Sequence, residues 1–284
     1  APHSPWGPDQ HPDQYLDMYR DCQFESIPDE PLHPWQTNGP IFSIDFDRQE
    51  ILQGYAAAVT AMDHNVGRIM EKLEELGISE KTMIFFTSDN GMNMGHHGII
   101  GKGNGTFPQN MYDTSVKIPT IISTPEIEPG TVNDNLLSQY DFLPTILDYA
   151  GIDSSISSRE NLPGKSFAPL LKGQKLKDRE NVFIFDEYGP VRMIRNKKWK
   201  YIHRYPYGPN ELYNLGKDPE EKNNLIEKEK YKDQIINMKN KLDNWFVKYV
   251  NPQIDGTREA VYGTGQINLA GIYSKGEKYF DDNL

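Results

Sequence analysis

Residues 88–103 concentrate the side chains that could perform chemistry in this 284-residue chain. Asp89 and Asn90 stand side by side and supply the hard oxygen ligands that Ca²⁺ and Mg²⁺ prefer. Asp-Asn-Gly is also a common turn sequence, so the tripeptide alone leaves a turn and a metal site open. Lys102 lies between two glycines, where the backbone can approach a ligand closely and the ammonium suits an oxyanion.

Three histidines are further candidates. His96 and His97 could bind a metal or a substrate, or could stabilise a turn. Adjacent side chains of a strand point to opposite faces, so at most one of the two is expected to enter a given site. His3 lies between two prolines, which stiffen the backbone and could hold an imidazole in place. A structural or solvated histidine remains the alternative at that position.

Two elements are predicted to position these residues. Thr82–Thr87 is a short, continuous apolar run, as expected of a strand buried on both faces of a parallel sheet. Asp89 and Asn90 would then lie at the carboxyl end of the strand, where open parallel sheets bind ligands. An apolar side chain recurs every three or four residues between Asp47 and Gly77, which predicts a long α-helix. Helix, loop and strand in this order indicate an α/β fold.

The rest of the sequence predicts a smaller C-terminal region. Ile118–Ser123 is a second strand candidate, and a helix is expected over Tyr140–Ala150. Three short β-rich runs between residues 182 and 202 predict a small antiparallel sheet, and residues 227–249 predict an amphipathic helix. The predicted regions are 1–152 for the α/β domain, 153–250 for the smaller α+β subdomain and 251–284 for a tail that wraps the surface.

Composition limits the classes of partner. The net charge of −11, from 41 acidic and 30 basic side chains, argues against a surface for nucleic acid or for an anionic membrane. No apolar run is long enough to span a bilayer, and the first residues do not have the pattern of a signal peptide. Cys22 is the single cysteine, which excludes an intrachain disulfide and leaves the redox compartment open.

Several motifs follow one another in the order of a known family. A His-bearing loop, a long helix, the strand end Phe85–Gly91 and Lys102–Gly103 resemble the C-terminal portion of type I sulfatases, in the alkaline-phosphatase-like superfamily. The resemblance implies an α/β sandwich with a mostly parallel central sheet, incomplete in this chain, plus a small C-terminal antiparallel sheet packed with a helix. Further matching segments are Tyr140–Leu147, Leu162–Phe167, Glu211–Leu215 and Asn224–Leu225.

The resemblance also implies a role for each candidate residue. Asp89 and Asn90 would ligate a divalent cation, usually calcium, with magnesium as an alternative. Lys102 would bind a sulfate oxygen and stabilise charge as the S–O bond breaks. His3 would contact the sulfate or protonate the leaving alcohol, and His97 would contact the organic part of the substrate.

One family signature is missing from this sequence. Family members carry Cys-x-Pro-x-Arg or Ser-x-Pro-x-Arg, whose first residue is oxidised to formylglycine and attacks sulfur as an aldehyde hydrate. Cys22 has other neighbours, and Ser155–Arg159 has the spacing without the proline. We therefore expect the formylglycine and two further aspartate ligands upstream of residue 1. With half of the metal ligands and no nucleophile, this chain alone is expected to be catalytically inactive.

The leading hypothesis is sulfate-ester hydrolysis by the intact protein, with a sulfated saccharide as the substrate. A phosphonate or phosphate ester hydrolase of the same superfamily is the nearest alternative, and a non-catalytic protein that binds sulfated glycans is a different class. The resemblance to this family implies a periplasmic or extracellular location. The sequence leaves open the particular ester, the sulfated position and the oligomeric state.

Overall fold

A computed structural model divides the chain into two compact units. The first contains the described residues up to Asn110 together with Lys117–Pro125, and the second contains Met111–Val116 and the described residues from Glu126 onward. The boundary predicted at residue 152 therefore falls inside the second unit. The structure describes residues 11–37, 47–152, 161–177, 179–186, 190–253, 255–258, 265–266 and 280–281.

The first unit contains a short helix, α1 (Asp13–Leu16), and a long helix, α2 (Arg48–Glu75), which confirms the long helix predicted from the apolar repeat. Asp47 is the N-cap of α2, and its carboxylate accepts hydrogen bonds from two amides of the first turn. Gly77 follows the helix at a φ of 65°, in the left-handed region that glycine adopts without a steric penalty. Cap and stop signals in the sequence thus define both ends of α2.

The apolar stripe of α2 is buried only along the first part of the helix. Leu52 and Ala57 are buried, and Leu52 belongs to a small cluster with Phe24 and Met94. Further along, Ile69 is 61% exposed to solvent. Helical periodicity therefore predicted the element correctly but did not report how much of its apolar face is covered.

The strand predicted over residues 82–87 is β1 (Ile84–Thr87), and the short strands β2 (Asn93–Met94) and β3 (Ile100–Gly101) form a hairpin after it. β1 pairs with β4 (Thr120–Ser123), which confirms the second strand candidate. The pairing is antiparallel, with Ile84 opposite Ser123 at one end of the ladder.

The expectation of a strand buried on both faces of a parallel sheet is wrong for β1. Its first three side chains are half-buried, Thr87 is exposed, and its described neighbour runs antiparallel. An apolar run indicates a strand with little solvent contact, but it carries no information on the direction of the partner strand. The carboxyl end of β1 nevertheless leads directly into Ser88 and Asp89, as predicted.

The second unit is built on an antiparallel sheet whose four strands follow chain order. This confirms the predicted C-terminal sheet and adds a fourth strand. The two helices predicted for this unit are also present, and a 3₁₀ turn precedes each of them. The elements are α3 (Asp113–Val116), α4 (Phe142–Tyr149), α5 (Ala168–Leu171), β5 (Val182–Phe185), β6 (Val191–Arg195), β7 (Trp199–Arg204), β8 (Glu211–Asn214) and α6 (Lys232–Tyr249).

Helix α6 supplies one side of the core of this unit. Met238, Leu242 and Phe246 recur every four residues, so they share one face, and all three are buried. They pack in one cluster with buried side chains of the sheet, among them Ile194 and Tyr201. In the predicted tail, the described strands β9 (Gly265–Gln266) and β10 (Phe280–Asp281) pair antiparallel with each other. Within the described residues, no helix has the length and apolarity needed to cross a bilayer.

A buried charge network ties α3 to the sheet. The Lys200 ammonium is fully buried and lies 2.5 Å from an oxygen of Asp113 and 2.6 Å from an oxygen of Glu221. It also donates to the backbone carbonyl of Met111 at 2.9 Å. Burial raises the pKa of Glu221 and the nearby ammonium opposes that shift. A buried charge without a partner destabilises a protein, so the loss of any one member of this cluster should lower the stability of the fold.

Candidate functional site

The loop after β1 holds its polar side chains in a compact turn. Ser88 Oγ donates to the carbonyl of Asn90 at 2.9 Å, and the backbone N–H of Asn90 donates to Asp89 Oδ1 at 2.9 Å. The Asn90 amide donates to the carbonyl of Gly91 at 2.8 Å, which fixes which way its oxygen faces. The turn and the metal site that the sequence left open are therefore compatible, because the turn itself presents the two side-chain oxygens.

The structure brings Lys102 to this turn. Its ammonium donates to Asn90 Oδ1 at 3.3 Å across twelve residues of sequence, and both side chains are half-buried. A cation and hard oxygen ligands therefore converge at the end of β1. The lysine suits an oxyanion, and the side-chain oxygens are of the type that a hard cation takes.

Hydrogen bonds on two sides fix the loop that carries Lys102. The side chain of Asn110, which is 2% exposed, donates to the carbonyls of Lys102 and Gly103, both at 3.2 Å. Gln36 donates to the carbonyl of Ile100 at 3.0 Å and accepts from the N–H of Ile100 at 3.1 Å. Neither side chain is among the residues predicted from the sequence. No local spacing could reveal Gln36, because 64 residues separate it from Ile100.

The two histidines lie in a 3₁₀ turn, His96–Gly98, rather than on a strand. Gly98 has a φ of 66°, and a Cβ there would lie 1.8 Å from the carbonyl oxygen of Pro31, so the turn requires glycine. His97 is half-buried at a left-handed φ of 58°. Nδ1 of His96 is buried and has no hydrogen-bond partner among the described residues. His3 lies outside the described residues.

The donors at the end of β1 suit a hard cation but do not complete its coordination. One carboxylate and one amide oxygen are the ligand types that calcium or magnesium takes, whereas calcium needs six to eight oxygens. Asp89 is exposed, so its carboxylate is accessible to an ion. Among the described residues, no three His, Cys, Asp or Glu side chains cluster as a metal site. Asp89 and Asn90 therefore fit part of a metal shell.

Comparison with known families identifies the chain. The sulfatase family model matches residues 1–152, and the model for the C-terminal region of N-sulphoglucosamine sulphohydrolase matches residues 103–248. The chain belongs to the sulfatase family. A curated relative, the N-acetylglucosamine-6-O-sulfatase of Bacteroides thetaiotaomicron, is 31% identical over 66% of this chain and 34% of its own length.

Solved structures support the alkaline-phosphatase-like sulfatase fold. One, described as a complex with its substrate D-glucosamine-2-N,6-O-disulfate, has a TM-score of 0.63 and 29% identity over 75% of this chain and 43% of that one. The phosphonate monoester hydrolase of Agrobacterium radiobacter has a TM-score of 0.60 and 26% identity over 72% of this chain and 42% of that one. This sulfatase-family chain thus spans less than half the length of each of these three proteins.

Proposed function

We propose that the intact protein hydrolyses a sulfate ester of a saccharide. The observation that carries the proposal is the convergence of Lys102 on Asn90 at the end of β1, in a chain of the sulfatase family. Asn90 and Asp89 would hold a calcium or magnesium ion, and Lys102 would hold a sulfate oxygen. A saccharide substrate is supported by the relative named for N-acetylglucosamine-6-O-sulfate chemistry and by the structure described with a disulfated glucosamine.

In this proposal, the chain's own residues bind and orient the sulfate. The Lys102 ammonium stabilises the negative charge that develops on oxygen as the S–O bond breaks, and the hydrogen bonds from Asn110 keep the loop in place. A bound cation would draw electron density from the sulfate oxygens and so favour attack on sulfur. His97 would contact the sugar, and His3 would protonate the leaving alcohol. The nucleophile, a formylglycine, and the other metal ligands are proposed to lie outside this chain, in an exported protein.

A phosphonate or phosphate ester hydrolase is the second candidate, because a phosphonate monoester hydrolase shares this fold. Comparing 4-nitrophenyl sulfate with 4-nitrophenyl phenylphosphonate on the intact protein separates the two. We expect faster turnover of the sulfate, and a higher kcat/KM for the phosphonate would reverse the assignment. The 284-residue chain alone is expected to release no 4-nitrophenol from the sulfate. A rate that tracks the purified chain would disprove the need for a nucleophile elsewhere.

A further inference from the structure

A cavity of about 210 Å³ opens in the second unit, and none of its lining residues belongs to the candidate sulfatase site. Tyr140, Phe183, Trp245 and Tyr249 form its aromatic walls. Trp245 and Tyr249 are one turn apart on α6, so their side chains lie on the same face of that helix. This volume is below the range of about 300–1,000 Å³ usual for ligand pockets, so the cavity takes at most a single monosaccharide unit.

The aromatic rings are arranged as a platform with side walls. Phe183 stacks on Trp245 with ring centroids 5.0 Å apart and an interplanar angle of 14°. Tyr140 and Tyr249 are tilted against the same indole, with centroids 6.0 and 5.2 Å from it. All four side chains are half-buried, so none of them is fully enclosed by the core. Flat aromatic surface with a few polar groups at its edge is typical of a ligand pocket.

Polar atoms with unused hydrogen-bonding capacity line the same cavity. Arg179 is held against the fully buried carboxylate of Asp141 at 2.5 Å, and its guanidinium lies 5.1 Å from the centroid of the Tyr140 ring. The other terminal nitrogen of Arg179 is buried without a hydrogen-bond partner among the described residues, and the same holds for Oδ1 of Asn181. Buried polar atoms normally have partners, so Arg179 and Asn181, which both line the cavity, keep hydrogen-bonding capacity that a ligand would use once their side chains turn toward it.

The charges at the rim favour an anion. Lys165 lines the cavity with an exposed side chain, and its backbone N–H is fixed on Asp141 at 2.8 Å. Glu180, the one carboxylate among the lining residues that the structure describes, forms an ion pair with Lys241. Since Arg179 is paired with Asp141 and Glu180 with Lys241, Lys165 supplies the remaining positive charge among the described lining residues, although the whole chain carries a net charge of −11. Local positive charge of this kind binds a sulfate or carboxylate group.

We propose that this cavity is a second saccharide-binding site, which takes one pyranose unit with an anionic substituent. The sugar ring would stack on the aromatic walls, its hydroxyls would use Asn181, and its anionic group would lie between Arg179 and Lys165. The choice of a sulfated sugar as the ligand rests on the proposed function. The site would hold a sulfated chain on the protein without taking part in cleavage.

Tryptophan fluorescence and calorimetric titration of the intact protein test this site, in a Lys102→Ala background that weakens sulfate binding at the sulfatase site. The probes are N-acetylglucosamine 6-sulfate, unsulfated N-acetylglucosamine and inorganic sulfate. We expect the sulfated sugar to bind at least about tenfold more tightly than either control, since the loss of a charged hydrogen bond has an effect of this size. Trp245→Phe should keep binding while removing most of the fluorescence change.

Substitutions of residues that line the cavity test whether the sugar binds there. Tyr249→Ala and Lys165→Ala should each weaken binding about tenfold, whereas Tyr207→Ala and Lys172→Ala, outside the lining, should leave it unchanged. Thermal unfolding checks that each variant is folded. Equal affinity for the sulfated and unsulfated sugars, or unchanged affinity in both test variants, would overturn the site. If the intact protein hydrolyses sulfate esters but the sulfated sugar does not bind at this cavity, only the second site is rejected. If the sugar binds at the cavity but the intact protein hydrolyses no sulfate ester, only the proposed function is rejected.

Discussion

Three strands of the C-terminal sheet are buried, whereas β1 and β4, beside the candidate site, are more open to solvent. In the second unit, β6, β7 and β8 are almost wholly buried, and α6 packs three side chains against the sheet. In the first unit, α2 exposes Ile69 and β4 exposes Ile121, which is 65% accessible. Strands β6, β7 and β8 of the second unit are therefore more completely buried than β1 and β4.

The two units also differ in what holds their polar groups. The second uses buried ion pairs, such as Arg204 with Glu211 at 2.9 Å. The first positions Asn90 and Lys102 through turns, a glycine-dependent backbone and neutral hydrogen bonds from Gln36 and Asn110. Catalytic side chains on loops are common because a rigid scaffold elsewhere frees them from packing. Substitutions in the buried sheet and core of the second unit should therefore act on stability, and those at the end of β1 on function.

The largest expected loss of stability comes from Lys200. Lys200→Ala leaves the buried carboxylate of Glu221 without its cation, while the half-buried Asp113 keeps its ion pair with Arg195 at 3.0 Å. Removing one partner of a buried ion pair costs about 3–5 kcal/mol in the free energy of unfolding. Urea denaturation measures this, with Lys198→Ala, an exposed lysine on the same hairpin, as the control. A loss below about 1 kcal/mol would show that the network is not needed.

Shortening an apolar side chain should also have different effects in the two units, and the larger effect should be almost as large as that of Lys200→Ala. Leu242→Ala removes a fully buried side chain from the core and should cost about 2–5 kcal/mol. Ile69→Ala, on the exposed part of α2, should change the free energy of unfolding by less than about 0.5 kcal/mol. The matched pair is compared by urea denaturation. A large effect of Ile69→Ala would mean that its apolar face is covered in solution.

The sequence predicted elements with local signals and missed those set by distant partners. Asp47 and Gly77 bounded α2, and four-residue spacing identified the buried face of α6. The antiparallel direction of β1 could not be predicted, since its partner β4 lies more than 30 residues away. At the site, Asp89 and Lys102 were found from residue type and glycine context. The support that Gln36 gives to the Lys102 loop depends on a tertiary contact, which leaves no local pattern in the sequence.

Acid should weaken the second unit through His203, which is 8% exposed. Burial, with a smaller contribution from Lys239, lowers the pKa of His203 from 6.5 to about 4, although Asp243 opposes the shift. The unfolded chain binds this proton below pH 6.5, so stability is fully present above that pH and is lost as pH falls to about 4. This difference in pKa corresponds to a loss of about 3 kcal/mol in the free energy of unfolding between these two pH values. The free energy of unfolding of His203→Gln should lack this step, and an unchanged pH profile would exclude His203 as its source.

The smallest expected effect lies at the start of α2. Asp47→Ala removes the side chain that accepts hydrogen bonds at 2.7 and 3.4 Å from Gln49 and Glu50. Loss of an N-cap costs about 1 kcal/mol. Asp47→Asn keeps an accepting oxygen and should restore most of the stability. Thermal unfolding by circular dichroism compares the two variants, and equal losses would argue against the cap.

The central claim is that Lys102 and the oxygens at the end of β1 form part of a sulfatase site. Its most direct test is kcat/KM of the intact protein toward 4-nitrophenyl sulfate, with Lys102→Ala compared against Lys81→Ala, a lysine in the turn before β1. We predict a loss of about 10²–10³-fold for Lys102→Ala, as for removal of a group that stabilises transition-state charge. Lys81→Ala should keep full activity. Retained activity in folded Lys102→Ala protein would contradict the assignment.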